Sequence, residues 1–232
     1  MISFIVPAHD ETQHVGRCVS AIHAAAKDIG EPYEVIVVDD ASTDSTAAVA
    51  AEQGARVLRV ENRQISATRN AGARQAKGEL LFFVDADTLA SAAAVRAALQ
   101  ALREGAAGGG CTFDFDGPLP LWVRVLHPVF IGLLRLLNAT GGCFLFCTRK
   151  AFDEAGGFCE RYYAIEDRAF IDALKRSGRF VLVRPRVATS GRQARRLTFW
   201  QALRLAVRIA VGGPESFTRR EGLDIWYGPR SG

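Results

Sequence analysis

Short apolar runs alternate with longer amphipathic stretches along the first half of this chain. Residues 2–6, 35–38, 57–60 and 80–84 are rich in Val, Ile, Leu and Phe. Such near-continuous apolar runs predict strands buried on both faces, as in a parallel sheet. Between them lie helical patterns. Over 11–27, Val15, Val19 and Ile22 recur on one face. Ser42, Thr43 and Asp44 offer capping groups for a helix over 47–53, which Gly54 ends. Residues 65–76 and 91–103 predict two more helices, the latter with Ser91 as its cap. Repeated strand–helix units imply right-handed crossovers and a mostly parallel, Rossmann-like α/β sheet flanked by helices.

The texture changes after Gly105. Gly108, Gly109 and Gly110 predict a turn or a flexible entry to a strand over 111–115. A proline-bearing loop at 117–120 leads into an apolar helix reaching 137, and Gly141-Gly142 precede a strand over 143–147. Helices over 149–155 and 166–177 and a strand over 180–183 follow. No linker separates the halves, so one sheet is expected to run through a single unit over 1–190, with a basic extension over 191–232. Two segments have helical apolar spacing: Leu121, Trp122, Val125, Leu126, Val129, Phe130, Leu133 and Leu134, then Phe199, Trp200, Leu203 and Val207. Two readings stay open for both, core helix and interfacial helix on anionic lipid.

Composition narrows the class. The 232 residues are 49% hydrophobic and 23% charged, enough apolar material for a substantial core. The net charge of +4 is unevenly placed, with seven arginines (184, 186, 192, 195, 196, 204 and 208) and no acid over 184–212. That stretch suits phosphates or an anionic membrane surface, and equally a solvated basic tail. No nucleic-acid-binding motif accompanies it. Cys18, Cys111, Cys143, Cys147 and Cys159 are scattered and odd in number, which predicts free thiols in a reducing compartment. The N-terminus lacks a basic n-region and reads as a strand, and the longest apolar stretch is broken by Arg124, His127, Pro128 and Arg135. The expected location is cytoplasmic, with the inner membrane face as a possible site of attachment.

The candidate chemistry sits at the carboxyl ends of the expected strands, where open α/β sheets bind ligands. Asp39-Asp40 end one run and Asp85-Ala86-Asp87 follow another. Clustered carboxylates repel unless a cation or ligand compensates them. A hard divalent ion such as Mg2+ or Mn2+, sharing phosphate oxygens, is the fitting compensator. Either cluster alone could be a helix cap. Glu11 and Asp10 after the first strand have that same simple explanation. Arg69, between the clusters, suits either a phosphate or a carboxylate. Gly72 inside a helix points to close packing against a neighbour.

These motifs, in this order, resemble the family 2 glycosyltransferases: Pro7-Ala8-x-x-Glu11, Val38-Asp39-Asp40-Ala41-Ser42-x-Asp44, Ala67-x-Arg69-Asn70-x-Gly72 and Asp85-x-Asp87. The likeness is strong over about the first 100 residues and extends through Gly141-Gly142 and Glu166-Asp167 to about residue 190. It implies a GT-A fold with a nucleotide-sugar-binding half over 1–104 and an acceptor half over 105–190. It also implies a nucleotide-sugar donor, UDP-linked more than GDP-linked, a divalent metal, and inversion at the anomeric carbon. Pro7, Ala8, Glu11, Asp39, Asp40, Arg69 and Asp85 would form the donor site. Asp87, with Asp85, would hold the metal. Tyr163-Ala164-Ile165-Glu166-Asp167 resembles the family's base motif, with Asp167 favoured and Glu166 beside it. Arg192 lies in a Ser-x-Arg element and is expected to reach the diphosphate. The acceptor is unspecified, with a lipid-linked one in view. Many relatives use a histidine as a further metal ligand, and no histidine follows His127 here.

Two other classes compete. A sugar-nucleotide nucleotidyltransferase carries a Gly-rich phosphate loop after its first strand, where this chain has Pro7-Ala8-His9-Asp10-Glu11. A non-catalytic nucleotide-sugar-binding protein would not require Asp85, Asp87 and Asp167 together.

Overall fold

A computed structural model describes residues 1–212 and 217–218, so part of the 191–232 extension lies outside the described residues. One sheet of eight strands runs through both halves in the order β3-β2-β1-β4-β7-β6-β8-β5. The strands are β1 (Ile2–Ala8), β2 (Tyr33–Asp40), β3 (Arg56–Val60), β4 (Leu80–Val84), β5 (Thr88–Leu89), β6 (Gly108–Asp116), β7 (Phe144–Thr148) and β8 (Phe180–Ser190). The helices are α1 (Val15–Ile29), α2 (Thr46–Glu52), α3 (Ile65–Gln75), α4 (Ala92–Arg103), α5 (Leu121–Leu136), α6 (Arg149–Ala155), α7 (Glu166–Ser177), α8 (Arg192–Arg196) and α9 (Phe199–Gly212). β1 pairs parallel with β2 and with β4, and β2 with β3, while β7 runs antiparallel to β4 and β6.

Strand alternation divides the core. Phe4 and Val6 face α1 and α4, whereas Ile5 faces α3 with Ile36 and Val38. On that second side Phe83, Phe152, Phe158 and Phe170 pack together, with Phe158 and Phe170 stacked at 4.0 Å. Gly72 is required for this layer, because a Cβ there would lie 2.5 Å from Ile5 Cγ2 and 2.8 Å from Val38 Cγ2.

Several expectations change. β1 continues through Pro7 to Ala8. Its pairing with β4 stops at Ile5, so beyond that point one side of the strand needs no donor and proline fits. Gly108, Gly109 and Gly110 form no turn but lie within β6, between β7 and β8. A Cβ on Gly109 would meet Val181 O at 2.1 Å and Phe146 Cζ at 2.4 Å. α1 starts at Val15 rather than Glu11, and β5 and α8 are additional elements. Cys18, Cys111, Cys143 and Cys147 are buried thiols, while Cys159 is half-buried.

The apolar spacing of α5 and α9 does not place most of their described large side chains in the core. Only Val123, Ile131 and Leu134 of α5 are buried, and Leu121, Val125, Val129 and Leu136 are exposed. α9 presents Phe199, Trp200, Leu203 and Val207 to the surface. Its Leu205 packs against a small cluster of Ala164 and Phe217, so the basic stretch is not simply a solvated tail.

Candidate active site

The strand order in the sheet places β1 between β2 and β4, and their carboxyl ends carry the expected acids. Ala8 lies in register with Asp39 and Pro7 with Val38. The loops beyond them are tied together. Glu11 N donates to Thr46 Oγ1 at 2.7 Å, Asp10 N to Ser42 Oγ at 3.0 Å, and Thr43 N to Asp10 Oδ1 at 2.7 Å.

Asp39 and Asp40 are both buried but do different work. Adjacent residues on a strand point to opposite faces. Asp40 accepts from Arg63 N at 2.8 Å, Gln64 N at 3.1 Å and Thr68 Oγ1 at 2.7 Å, and so holds the amino end of α3. Asp39 Oδ1 is buried with no hydrogen-bond partner among the described residues, and its Oδ2 is 3.9 Å from Arg59 Nε. A buried acceptor left open in this way is suited to a ligand donor.

The α3 motif divides its labour similarly. Arg69 is 2% exposed and donates from Nη2 to Asp85 Oδ1 at 2.7 Å and from Nη1 to Glu166 Oε1 at 2.8 Å. Its guanidinium also lies 5.1 Å from the centre of the Phe158 ring. Burial disfavours the charge on Arg69, yet Asp85 and Glu166 outweigh it and raise its pKa. Asn70 exchanges two 2.9 Å hydrogen bonds with the Phe158 backbone, and Gln64 Nε2 donates to Glu160 O. The sequence motif contains Asn70 but shows no partner for it, and no motif marks Gln64.

Glu166 and Asp167 open α7 after Ile165, whose φ of 53° is left-handed. A β-branched residue in that region is strained, and such strain concentrates where a loop must aim a functional group. Burial pushes the Glu166 carboxyl up to about 7, against the pull of Arg69 and with the repulsion of Asp167. Burial likewise raises Asp167, again against Arg69. Gly142, at φ 80°, is the close neighbour: a Cβ there would lie 2.4 Å from Asp167 Oδ2. The Gly141-Gly142 pair thus makes room for protein groups, Phe113 beside Gly141 and Asp167 beside Gly142. Gly142→Ala is therefore expected to displace Asp167 and to cut sugar transfer by roughly tenfold to a hundredfold, with donor affinity kept. Parallel transfer assays and donor titrations check this, and unchanged turnover would mean that the Asp167 position is not critical.

Asp87 lies on the β4–β5 turn. Thr189 Oγ1 donates to its Oδ1 at 3.3 Å, and Arg192 Nη2 is 3.4 Å from its Oδ2. Arg192 also forms an ion pair with Glu11, so the start of α8 reaches back to the loop after β1. Among the described residues no group of three or more His, Cys, Asp or Glu side chains is arranged to hold a metal. Asp85 and Asp87 still fit a hard ion that takes its other ligands from phosphate and water, because both supply carboxylate oxygen and the Asp85–Arg69 hydrogen bond uses Oδ1 alone.

The family model described as glycosyl transferase family 2 matches residues 3–158. An undecaprenyl-phosphate 4-deoxy-4-formamido-L-arabinose transferase of Serratia proteamaculans is 32% identical over 93 residues, covering 37% of this chain and 28% of that protein. The chain therefore spans less than a third of that relative. Among solved structures, a mannosyltransferase from Pyrobaculum calidifontis in complex with GDP-Man and Mn2+ superposes with a TM-score of 0.66 at 18% identity, covering 88% of this chain and 59% of that one. Glucosyl-3-phosphoglycerate synthase from Mycobacterium tuberculosis, with Mn2+, UDP and glucosyl-3-phosphoglycerate, gives 0.62 at 20% identity, covering 93% and 80%. The sheet and its flanking helices are those of a GT-A fold. With the matched region running from β1 through the Arg69 and Asp85–Asp87 motifs to Phe158, the chain belongs to glycosyl transferase family 2.

Proposed function

We propose that this transferase moves a sugar from a nucleoside-diphosphate donor to an acceptor hydroxyl by a single inverting displacement. One observation carries the reading: Arg69 bonds Asp85 and Glu166 at once. The acids of the donor half and those of the acceptor half therefore meet at one guanidinium. A sugar held by its diphosphate near Asp85 and Asp87 would have its anomeric carbon close to Asp167.

In this reading Asp39 accepts the base N–H of the nucleoside through its open Oδ1, and Asp40 acts indirectly by fixing α3. The family resemblance favours a UDP-linked over a GDP-linked donor. Asp85 and Asp87 would hold a magnesium or manganese ion, which when bound neutralises charge on the diphosphate. Arg192 adds a tethered positive charge beside the same phosphates. Asp167 takes the proton of the acceptor hydroxyl as its oxygen forms the new bond to the anomeric carbon. The old bond breaks with its electron pair on the diphosphate oxygen, which leaves as the nucleoside diphosphate. The name of the Serratia relative supports a lipid-linked acceptor, which would place this enzyme at the inner face of the membrane; an acceptor of that relative's undecaprenyl-phosphate kind would attack through a phosphate oxygen in place of the hydroxyl and would not need the base.

The test is donor binding. Asp87→Ala is expected to remove metal-dependent affinity for a nucleotide-sugar while the melting temperature holds, as measured by calorimetric titration with UDP- and GDP-sugars. Wild-type affinity that is equal with and without magnesium or manganese would refute the metal role.

A further inference from the structure

The exposed large apolar side chains are concentrated on two helices. Apart from Met1, every such residue recorded lies on α5, at Leu137 just beyond it, or on α9. The helices meet through Trp122 and Phe199, whose rings are 6.1 Å apart. The stretches 117–152 and 173–214 contain no acidic residue, and Arg124, Arg135 and Arg204 are exposed among the apolar groups. No described helix is long and apolar enough to cross a membrane.

We infer that α5 and α9 together form a docking surface for an anionic lipid bilayer, inserted to interfacial depth. Charge complementarity selects this occupant. A soluble acidic partner would not require so many aliphatic and aromatic groups, and a purely apolar partner would not favour arginines among them. Interfacial helices combine these two features, with the apolar face in the acyl boundary and the cations at the headgroups.

The surface connects with the site at two points. Leu205 of α9 packs with Ala164 beside Ile165, ahead of Asp167. Near the start of α5, Asp116 accepts from Gly191 N at 3.2 Å, next to Arg192. A bilayer beneath α5 and α9 would thus lie beside the acceptor end of the site. This inference rests on the proposed lipid-linked acceptor only for its purpose, since binding to lipid is measurable without transfer.

The experiment is co-sedimentation of the full chain with vesicles of phosphatidylcholine alone or mixed with phosphatidylglycerol, at low and high salt. Wild type is expected to pellet with the anionic vesicles at low salt and to be released by high salt. Replacing Arg124, Arg135 and Arg204 by glutamine is expected to weaken binding about fivefold per arginine. Val125→Ser, Val129→Ser and Trp200→Ser together are expected to abolish it. All six residues are exposed, so melting temperatures should hold. Absence of binding to anionic vesicles at low salt, or equal binding by the variants, would overturn the inference. So would sedimentation velocity showing a dimer that the Val129→Ser set dissolves, which would assign the face to a second copy. Donor binding with no vesicle binding would sink the surface but leave the transferase reading intact. Vesicle binding without donor binding would do the reverse.

Discussion

Asp167→Asn is expected to lower sugar transfer by about 10²–10⁴-fold while donor affinity stays at the wild-type level. Asparagine keeps the shape beside Gly142 but cannot take a proton. The same argument predicts a pH dependence. Burial raises the Asp167 carboxyl, and Glu166 beside it is pushed up to about 7. The base form is therefore lost at a higher pH than for an ordinary carboxylate. Transfer should climb as pH rises from mildly acid to neutral, and the acid limb of kcat/KM should lie above the usual carboxylate range. Near-normal turnover by Asp167→Asn would point to an acceptor that attacks as an already ionised phosphate and needs no base, or to Glu166 as the base.

Arg69→Met should produce the largest loss of stability. It leaves Asp85 and Glu166 without their shared cation, and breaking a buried pair in this way costs about 3–5 kcal/mol. For a chain of this size that corresponds to a fall in melting temperature of roughly 6–20 °C. The sign with pH follows from linkage. Glu166 has a folded pKa above its unfolded value, so the folded state holds this proton more tightly, and its contribution to stability declines as pH rises from the unfolded value, roughly 4.3, toward 7. Removing Arg69 raises that pKa further. The deficit of the variant should therefore be smaller in mildly acid than in neutral solution. Scanning calorimetry across that range checks it, and a deficit that grows on acidification would mean that the pair is not what Arg69 supports.

Much of the first hundred residues was legible in the sequence because both faces of their strands are covered. Continuous apolar runs at β1 to β4 mark such strands directly, and the acids that end them mark the candidate ligand rim. The separate tasks of Asp39 and Asp40 were not legible. Their adjacency suggested a shared role, whereas strand alternation sends one side chain to the α3 end and leaves the other open. Gly108, Gly109 and Gly110 looked like a turn because glycine punctuates turns more often than it admits neighbouring strands at close range. α5 and α9 show a limit of periodicity. It identifies an apolar face but not what covers it, so core and interface gave the same pattern. Arg69 was readable as a brace for acids, but its partner in the acceptor half was not, since nothing local links positions 97 residues apart.

That long-range pairing restricts how the family can be recombined. A crossover near residue 105 would separate Arg69 and Asp85 from Glu166, and Asn70 from Phe158. A chimera built there inherits a buried cation from one parent and must find its matching acid in the other. Exchange of segments across that point is therefore confined to parents that carry the same Arg–Glu couple, whereas α5, joined to the body by only Val123, Ile131 and Leu134 as buried side chains, is more readily traded.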